Sequence, residues 1–276
     1  MTFYYSPLRY PGGKTQLVPY LRHFIELNNL SGRHYVEPFA GGASVALDLL
    51  FREYVPVITI NDKDISIFSF WHSVLHQTEE LCRLIVDTPV TIENWKKQKE
   101  IHKNSNSVET LELAFATFFL NRCNRSGIIN AGAIGGMNQN GNWKIDARYN
   151  KTELIKRINK ISNYSNRINI FNLDVCDLID NLLSQKDKKI FYFDPPYYVK
   201  GQDLYLNYFK HDDHVRIRDR VSNINDSWLM TYDNHAEIRN LYSNYRSRIY
   251  NLNYSAGTAT KGTEIMIYSN DITKLQ

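Results

Sequence analysis

Short apolar strands alternate with helical segments over residues 34–76, the alternation stops over about residues 81–160, and it resumes at Ile168. His34–Glu37 reads as a strand broken by Pro38 and a Gly-Gly turn, and Ala43–Phe51 carries apolar residues at helical spacing. Val55–Ile60 is a β-branched run ending in Asn61-Asp62, and Ile65–His76 is helical again. Strands joined this way need crossover connections, and crossovers make a parallel sheet flanked by helices. After the gap come strands at Ile168–Leu173, Ile190–Phe193 and Trp228–Tyr232, with a helix over His211–Ile224 between the last two. Arg246–Leu252 and Glu264–Tyr268 flank a Gly/Thr/Lys loop and predict a C-terminal antiparallel hairpin.

The gap has a different character. Val108–Leu120 is its clearest helix, whereas 124–142 is loaded with Gly and Asn and predicts a long hairpin or loop. The expected architecture is one α/β domain, residues 1–78 and 165–276, interrupted by a mostly helical insert over 79–164. Near the N-terminus, Tyr10-Pro-Gly-Gly-Lys14 is a turn, and an amphipathic helix follows over Gln16–Leu27.

Composition excludes several classes. Among 276 residues, 43% are apolar and 22% charged, so the chain can build a core and is no disordered polyampholyte. No apolar run approaches the ~18–20 residues of a membrane span, and no secretory signal is visible. Cys82, Cys123 and Cys176 are too far apart for a clustered zinc site and read as small core hydrophobes of a reduced, cytoplasmic protein. No metal site is expected. The net charge is only +4, but Leu113–Lys160 holds eight basic residues against two acidic ones. Such a segment is either a solvated face or the footprint of an anionic partner, nucleic acid being the commonest.

Ile190-Phe-Tyr-Phe-Asp-Pro-Pro-Tyr-Tyr198 carries the most chemistry. A buried strand delivers Asp194 to its carboxyl end, where ligands bind in open parallel sheets. Pro195 and Pro196 stiffen the turn and aim the Pro195 carbonyl, and Tyr197 adds a flat ring. An acid, a fixed carbonyl and a ring suit the capture of a planar heterocycle through its exocyclic amine. The same residues also fit a Pro-Pro-x-Tyr peptide ligand, or simply a turn ending a strand.

A second turn, Tyr35-Val-Glu-Pro-Phe-Ala-Gly-Gly-Ala-Ser44, lets backbone approach a nucleoside-like ligand. Glu37 and Gly41 belong to it, Asp62 ends the next strand where an acid would take a ribose diol, and Asp174 could meet an adenine amine. Gly13-Lys14-Thr15 invites a phosphate-loop reading, but that pattern needs glycine where Leu8 stands, and no strand precedes it.

Together, Arg9-Tyr-Pro-Gly-Gly-Lys14, Glu37-Pro-Phe-Ala-Gly41, Asp62 and Asp194-Pro-Pro-Tyr197 resemble the Dam-type (alpha group) DNA adenine N6-methyltransferases. The resemblance implies a Rossmann-like S-adenosylmethionine-dependent methyltransferase sheet, with the insert as target-recognition region. It implies S-adenosyl-L-methionine as cofactor, held by Tyr10, Lys14, Glu37, Phe39, Gly41, Asp62, Asp174 and Asp194. The catalytic set would be Asp194, Pro195, Pro196 and Tyr197, acting on an adenine flipped out of double-stranded DNA. In the insert, Arg122, Arg125, Lys144 and Arg148 are the candidate DNA contacts, and Trp143 is either a wedge into the base stack or a small-core residue. A monomer on DNA is expected. Two departures stand out: Ala43 replaces the last glycine of the cofactor loop, and Gly135–Trp143 does not match the GATC-reading pattern. An RNA adenine methylase and a non-catalytic nucleic-acid-binding module are the competing readings.

Overall fold

The computed structural model describes residues 5–9, 13–198, 209–253 and 261–275. In chain order, a 3-10 turn (Lys14–Leu17) leads into α1 (Val18–Leu27), β1 (His34–Glu37), α2 (Ser44–Phe51) and β2 (Ile58–Asn61). Then follow α3 (Ile65–His76), α4 (Thr78–Asp87), α5 (Ile92–Lys103), α6 (Thr110–Cys123), α7 (Lys151–Ser162) and β3 (Ile168–Phe171). The chain closes with α8 (Val175–Leu183), β4 (Lys189–Phe193), α9 (His211–Val221), β5 (Ser227–Asp233), α10 (Ala236–Leu241), β6 (Arg246–Asn253) and β7 (Lys261–Tyr268). Two compact units emerge: Lys14–Lys63 with Leu173–Gln276, and Met1–Gly13 with Asp64–Asn172.

The first of these is an α/β unit whose strands run in the order β2-β1-β4-β5-β7-β6. β1 pairs in parallel with both β2 and β4, and β4 with β5, whereas β7 runs antiparallel to β5 and β6. The expected parallel sheet and terminal hairpin are therefore present. Between β1 and β4 the direction of chain progression reverses, which opens a crevice at their carboxyl ends. Both strands are largely buried, with Tyr35, Val36, Phe191 and Phe193 almost without exposure. A strand shielded on both faces gains from apolar residues at every position, which is why Ile190–Phe193 runs apolar without alternating, while β1 keeps His34 and Glu37 at its ends. Among the boundaries that moved, two did so for plain local reasons. Pro19 sits in the first turn of α1, where a missing N–H costs nothing, so the α-helix starts after a 3-10 turn. Pro56 removes a ladder donor, so β2 starts at Ile58 instead of Val55.

The other unit is mostly helical. α3 packs on α6, where Phe70 and Phe118 stack 5.9 Å apart, and Tyr149 closes against Phe118 and Phe119 at 5.4 Å. Burial of such rings stabilises by about 2–3 kcal/mol each before any packing term. The expected domain limits, 78/79 and 164/165, fall inside this unit. The unit includes α3, which lies against α6 and α7. Residues 124–150 form a loop with a 3-10 turn at Arg125–Gly127 and one bridge, Asn124 to Ala133, in place of a regular hairpin. Among the described residues no helix is long and apolar enough to cross a membrane.

Candidate active site

β4 is buried along its whole length and releases Asp194 at its carboxyl end. The Asp194 side chain is 18% exposed, and its Oδ1 lies 2.9 Å from Lys14 Nζ. Thr231 Oγ1, on β5, donates to the same oxygen at 2.8 Å and meets the Tyr192 hydroxyl at 3.0 Å. Burial pushes the Asp194 carboxyl above its ordinary range; the Lys14 charge opposes that shift, and Glu264 adds to it. Beyond the two prolines the turn is pinned, because the Tyr198 N–H donates to Asp233 Oδ1 at 2.8 Å. The Tyr198 ring stacks on His235 at 4.7 Å.

Lys14 is buried, which is costly for an ammonium unless it is paired. It donates to Tyr197 OH at 3.0 Å, lies 5.0 Å from that ring's centre, and is 3.6 Å from Glu264 Oε1. The Tyr197 hydroxyl in turn donates to Glu264 Oε1, and the Tyr250 hydroxyl to Oε2. Sequence reading missed Glu264. Its signal was a lone carboxylate in the otherwise apolar run Glu264–Tyr268, and it is completely buried. Thr231 was missed as well, since a threonine in a strand is unremarkable by sequence.

A second cluster occupies the carboxyl ends of β1 and β2. Glu37 is buried and accepts the Ala46 N–H at 3.1 Å, at the start of α2. Burial lifts its carboxyl to about 8, with the charge of Asp194 adding to the effect. Asp62 Oδ2 accepts the Gly41 N–H at 2.9 Å. Asn61, also missed, donates to the Pro38 carbonyl at 3.0 Å and the Leu173 carbonyl at 3.1 Å, and accepts the Leu173 N–H at 2.9 Å. Gly41 and Ala43 both have positive φ, +45° and +48°. Ala43 thus adopts the left-handed conformation that a glycine would take freely, at a cost of about 1–2 kcal/mol. Phe39 meets Phe209 edge-on at 6.0 Å. A strand-end carboxylate, a tight positive-φ turn and an aromatic ring form a donor set that fits a nucleoside cofactor with a diol.

Asp174 has other partners. It caps α8 through the Cys176 N–H at 3.0 Å and pairs with Lys63 and Arg216 at 2.9 Å each. Burial alone would raise its carboxyl, but these donors prevail and hold it down at about 2. Tyr10 lies outside the described residues.

In the helical unit two buried asparagines organise the loop after α6. Asn121 brackets the Arg9 backbone, accepting its N–H at 2.7 Å and donating to its carbonyl at 2.8 Å, and also holds the Gly127 carbonyl. Asn124 donates to the carbonyls of Ile128 and Ile129 and accepts from the Trp95 indole at 2.6 Å. Gly127 has φ +77°, and a Cβ there would meet the Arg9 carbonyl oxygen at 2.2 Å.

Of the four basic candidates, Arg125, Lys144 and Arg148 are exposed. Arg122 is half-buried and turned inward, donating to the carbonyls of Arg148 at 2.7 Å and Pro7 at 3.4 Å. Burial lowers it to about 10, with Arg9 and Arg157 adding, so it stays charged at neutral pH. Trp143 is 69% exposed and takes the Arg148 guanidinium over its ring at 5.9 Å, so it is no small-core residue. Lys144 Nζ donates to the carbonyls of Gln139 and Gly141 and draws its loop together. All three cysteines are free; Cys123 and Cys176 are buried as expected, whereas Cys82 is only half-buried.

Residues 10–256 match the family described as D12 class N6 adenine-specific DNA methyltransferases. Among curated proteins, the chain is 22% identical over 230 residues to the type II methyltransferase M.MjaIII of Methanocaldococcus jannaschii, covering 76% of each chain. Among solved structures it is similar to PH1948 of Pyrococcus horikoshii, taken to be an RNA methyltransferase. That match has a TM-score of 0.44 and 9% identity, and covers 92% of this chain and 83% of the other.

Proposed function

Because the chain belongs to the D12 class of N6 adenine-specific DNA methyltransferases, we propose that it uses S-adenosylmethionine to methylate N6 of an adenine turned out of duplex DNA. The observation that carries this reading is the buried Lys14–Asp194 pair at the carboxyl end of β4, beside the reversal point of the sheet. When bound, S-adenosylmethionine supplies the electrophilic methyl group. Asp62, Gly41, Glu37 and Phe39 are the residues we assign to hold it, with Asp62 as acceptor for the ribose diol.

The rest of the chemistry belongs to the chain's own residues. An adenine amine is a weak nucleophile because its lone pair is delocalised into the ring. Lys14 and Thr231 both bond Asp194 Oδ1, so Oδ2 is the oxygen assigned to one amine hydrogen. The Pro195 carbonyl accepts the other, which draws both hydrogens from the ring plane and localises the lone pair. As the amine gives up a proton, Asp194 Oδ2 holds it. The Pro-Pro turn, pinned by Asp233, supplies the fixed geometry that such positioning demands. A stacked base cannot enter a pocket of this kind, so the adenine must leave the duplex. Arg125, Lys144 and Arg148 are assigned to DNA, while Arg122 works inside the unit. Action on DNA as a monomer in the cytoplasm, within a restriction-modification system, is the corresponding setting.

Methylation-aware sequencing of DNA from cells expressing the protein tests the reading. N6-methyladenine at one recurring motif is expected, together with methyl transfer to duplex DNA and none to single-stranded RNA. Transfer to RNA alone, or to neither, overturns it.

A further inference from the structure

We propose that Glu264 is a positioning residue for methyl transfer, setting Tyr197 and Lys14 and, through Lys14, the Asp194 carboxylate. The inference rests on the methyltransferase reading above and extends it to a residue on the antiparallel hairpin, outside every recognised motif.

Burial makes the case. Glu264 sits on β7 with no exposure, yet both carboxylate oxygens are used: Oε1 by Tyr197, Oε2 by Tyr250 on β6. Lys14 Nζ lies 3.6 Å from Oε1 and 2.9 Å from Asp194 Oδ1, so one ammonium serves two carboxylates. A buried carboxylate without structural necessity would be replaced at a gain by an apolar residue of similar size. Here it anchors three side chains from three parts of the chain, two of them in the proposed site. Tyr197 cannot swing about its Cα–Cβ bond without giving up the Glu264 and Lys14 bonds.

The charge matters as well as the shape. Around Asp194 stand Lys14 from the 3-10 turn, Tyr35 and Glu37 from β1, and Tyr192 on β4 itself. Tyr232 on β5, Tyr250 on β6 and Glu264 on β7 complete the set. Among the described residues Lys14 is the one cation of this set, and Glu264 pushes the Asp194 carboxyl toward its protonated form. Removing the Glu264 charge while keeping its shape should let Asp194 ionise at lower pH.

The test compares wild type, Glu264→Gln and Tyr250→Phe in single-turnover and steady-state methylation of duplex DNA, each with a thermal unfolding control. For Glu264→Gln, kcat falls about tenfold or more with both KM values unchanged, and the acid limb of the kcat–pH profile moves to lower pH. A merely structural role would lower the folded fraction and leave the limb in place. Tyr250→Phe keeps the charge and loses one bond, so kcat falls several-fold with the limb unmoved. Folded Glu264→Gln with wild-type kcat and an unmoved limb overturns the proposal; if that variant does not fold, Tyr250→Phe with wild-type kcat overturns it. A wild type that transfers no methyl group to adenine instead refutes the methyltransferase reading on which both rest.

Discussion

Glu37 ends β1 and Asp194 follows β4, its parallel neighbour, and the charge of Asp194 adds to the burial that lifts the Glu37 carboxyl to about 8. Two acids are thus held at the same end of adjacent strands, one paired with an ammonium and one mostly neutral at neutral pH.

The consequence for stability has a definite sign. In the unfolded chain Glu37 ionises near about 4.3. Between that value and about 8 the folded state holds a proton that the unfolded state lacks, so this contribution to stability falls as pH rises. Glu37→Gln removes the titration. Urea unfolding at pH 5.5, 6.5 and 7.5 (about, within the window) should show the variant gaining on wild type at each step; parallel curves would refute the elevated carboxyl.

Lys14→Met leaves Asp194 and Glu264 buried without their shared counter-charge. Breaking a buried pair by removing one partner costs about 3–5 kcal/mol, and the side chains here are 4%, 18% and 0% exposed. The loss should shrink in the double variant with Asp194→Asn. Equal losses in single and double variants would show that the pair is not coupled.

Asp194→Ala should abolish methyl transfer while leaving the cooperative unfolding transition in place. Loss of one such acceptor costs about 10²–10³-fold in rate. Single-turnover rates within a few-fold of wild type would remove Asp194 from the chemistry.

Asp62→Ala removes the carboxylate that accepts the Gly41 N–H in the turn after β1. Affinity for S-adenosylmethionine should drop about tenfold or more, since a charged hydrogen bond contributes about 1.5–3 kcal/mol, with DNA affinity unchanged. Calorimetric titration of both ligands decides it; unchanged cofactor affinity counts against the assignment.

In the helical unit, Arg125→Ala should relax sequence preference at one base pair by about 1–3 kcal/mol. Lys144→Ala should weaken binding to all sequences and flatten the salt dependence. Arg122→Ala should act differently, lowering stability because its bonds run to the Arg148 and Pro7 carbonyls. Wild-type binding and motif preference for both Arg125→Ala and Lys144→Ala would dismiss the loop as the recognition element.

Much of the architecture was legible because it depends on local pattern. β1 and α3 fall on their expected residues, and the strand-turn-helix junctions at Gly41 and Asp194 announce themselves through Gly, Pro and acid in short spans. What stayed hidden depends on distance along the chain. Lys14 meets Asp194 and Glu264 only after the whole sheet is assembled, and no periodicity in Glu264–Tyr268 says that its carboxylate faces Lys14. Arg122 illustrates the converse: charge and position suggested a solvent-facing contact, but two backbone carbonyls claim its guanidinium. The grouping of α3 with α6 and α7 was not legible either, because helical spacing reveals an apolar face without revealing which neighbour covers it.

Asn61 joins the Pro38 carbonyl to both backbone groups of Leu173 with one side-chain amide. The turn after β1 and the segment entering α8 are therefore ordered by folding itself, before any ligand arrives. Conformational entropy that a looser pocket would lose on association has already been lost here. Association at this end of the sheet should consequently proceed without a slow rearrangement of these two segments.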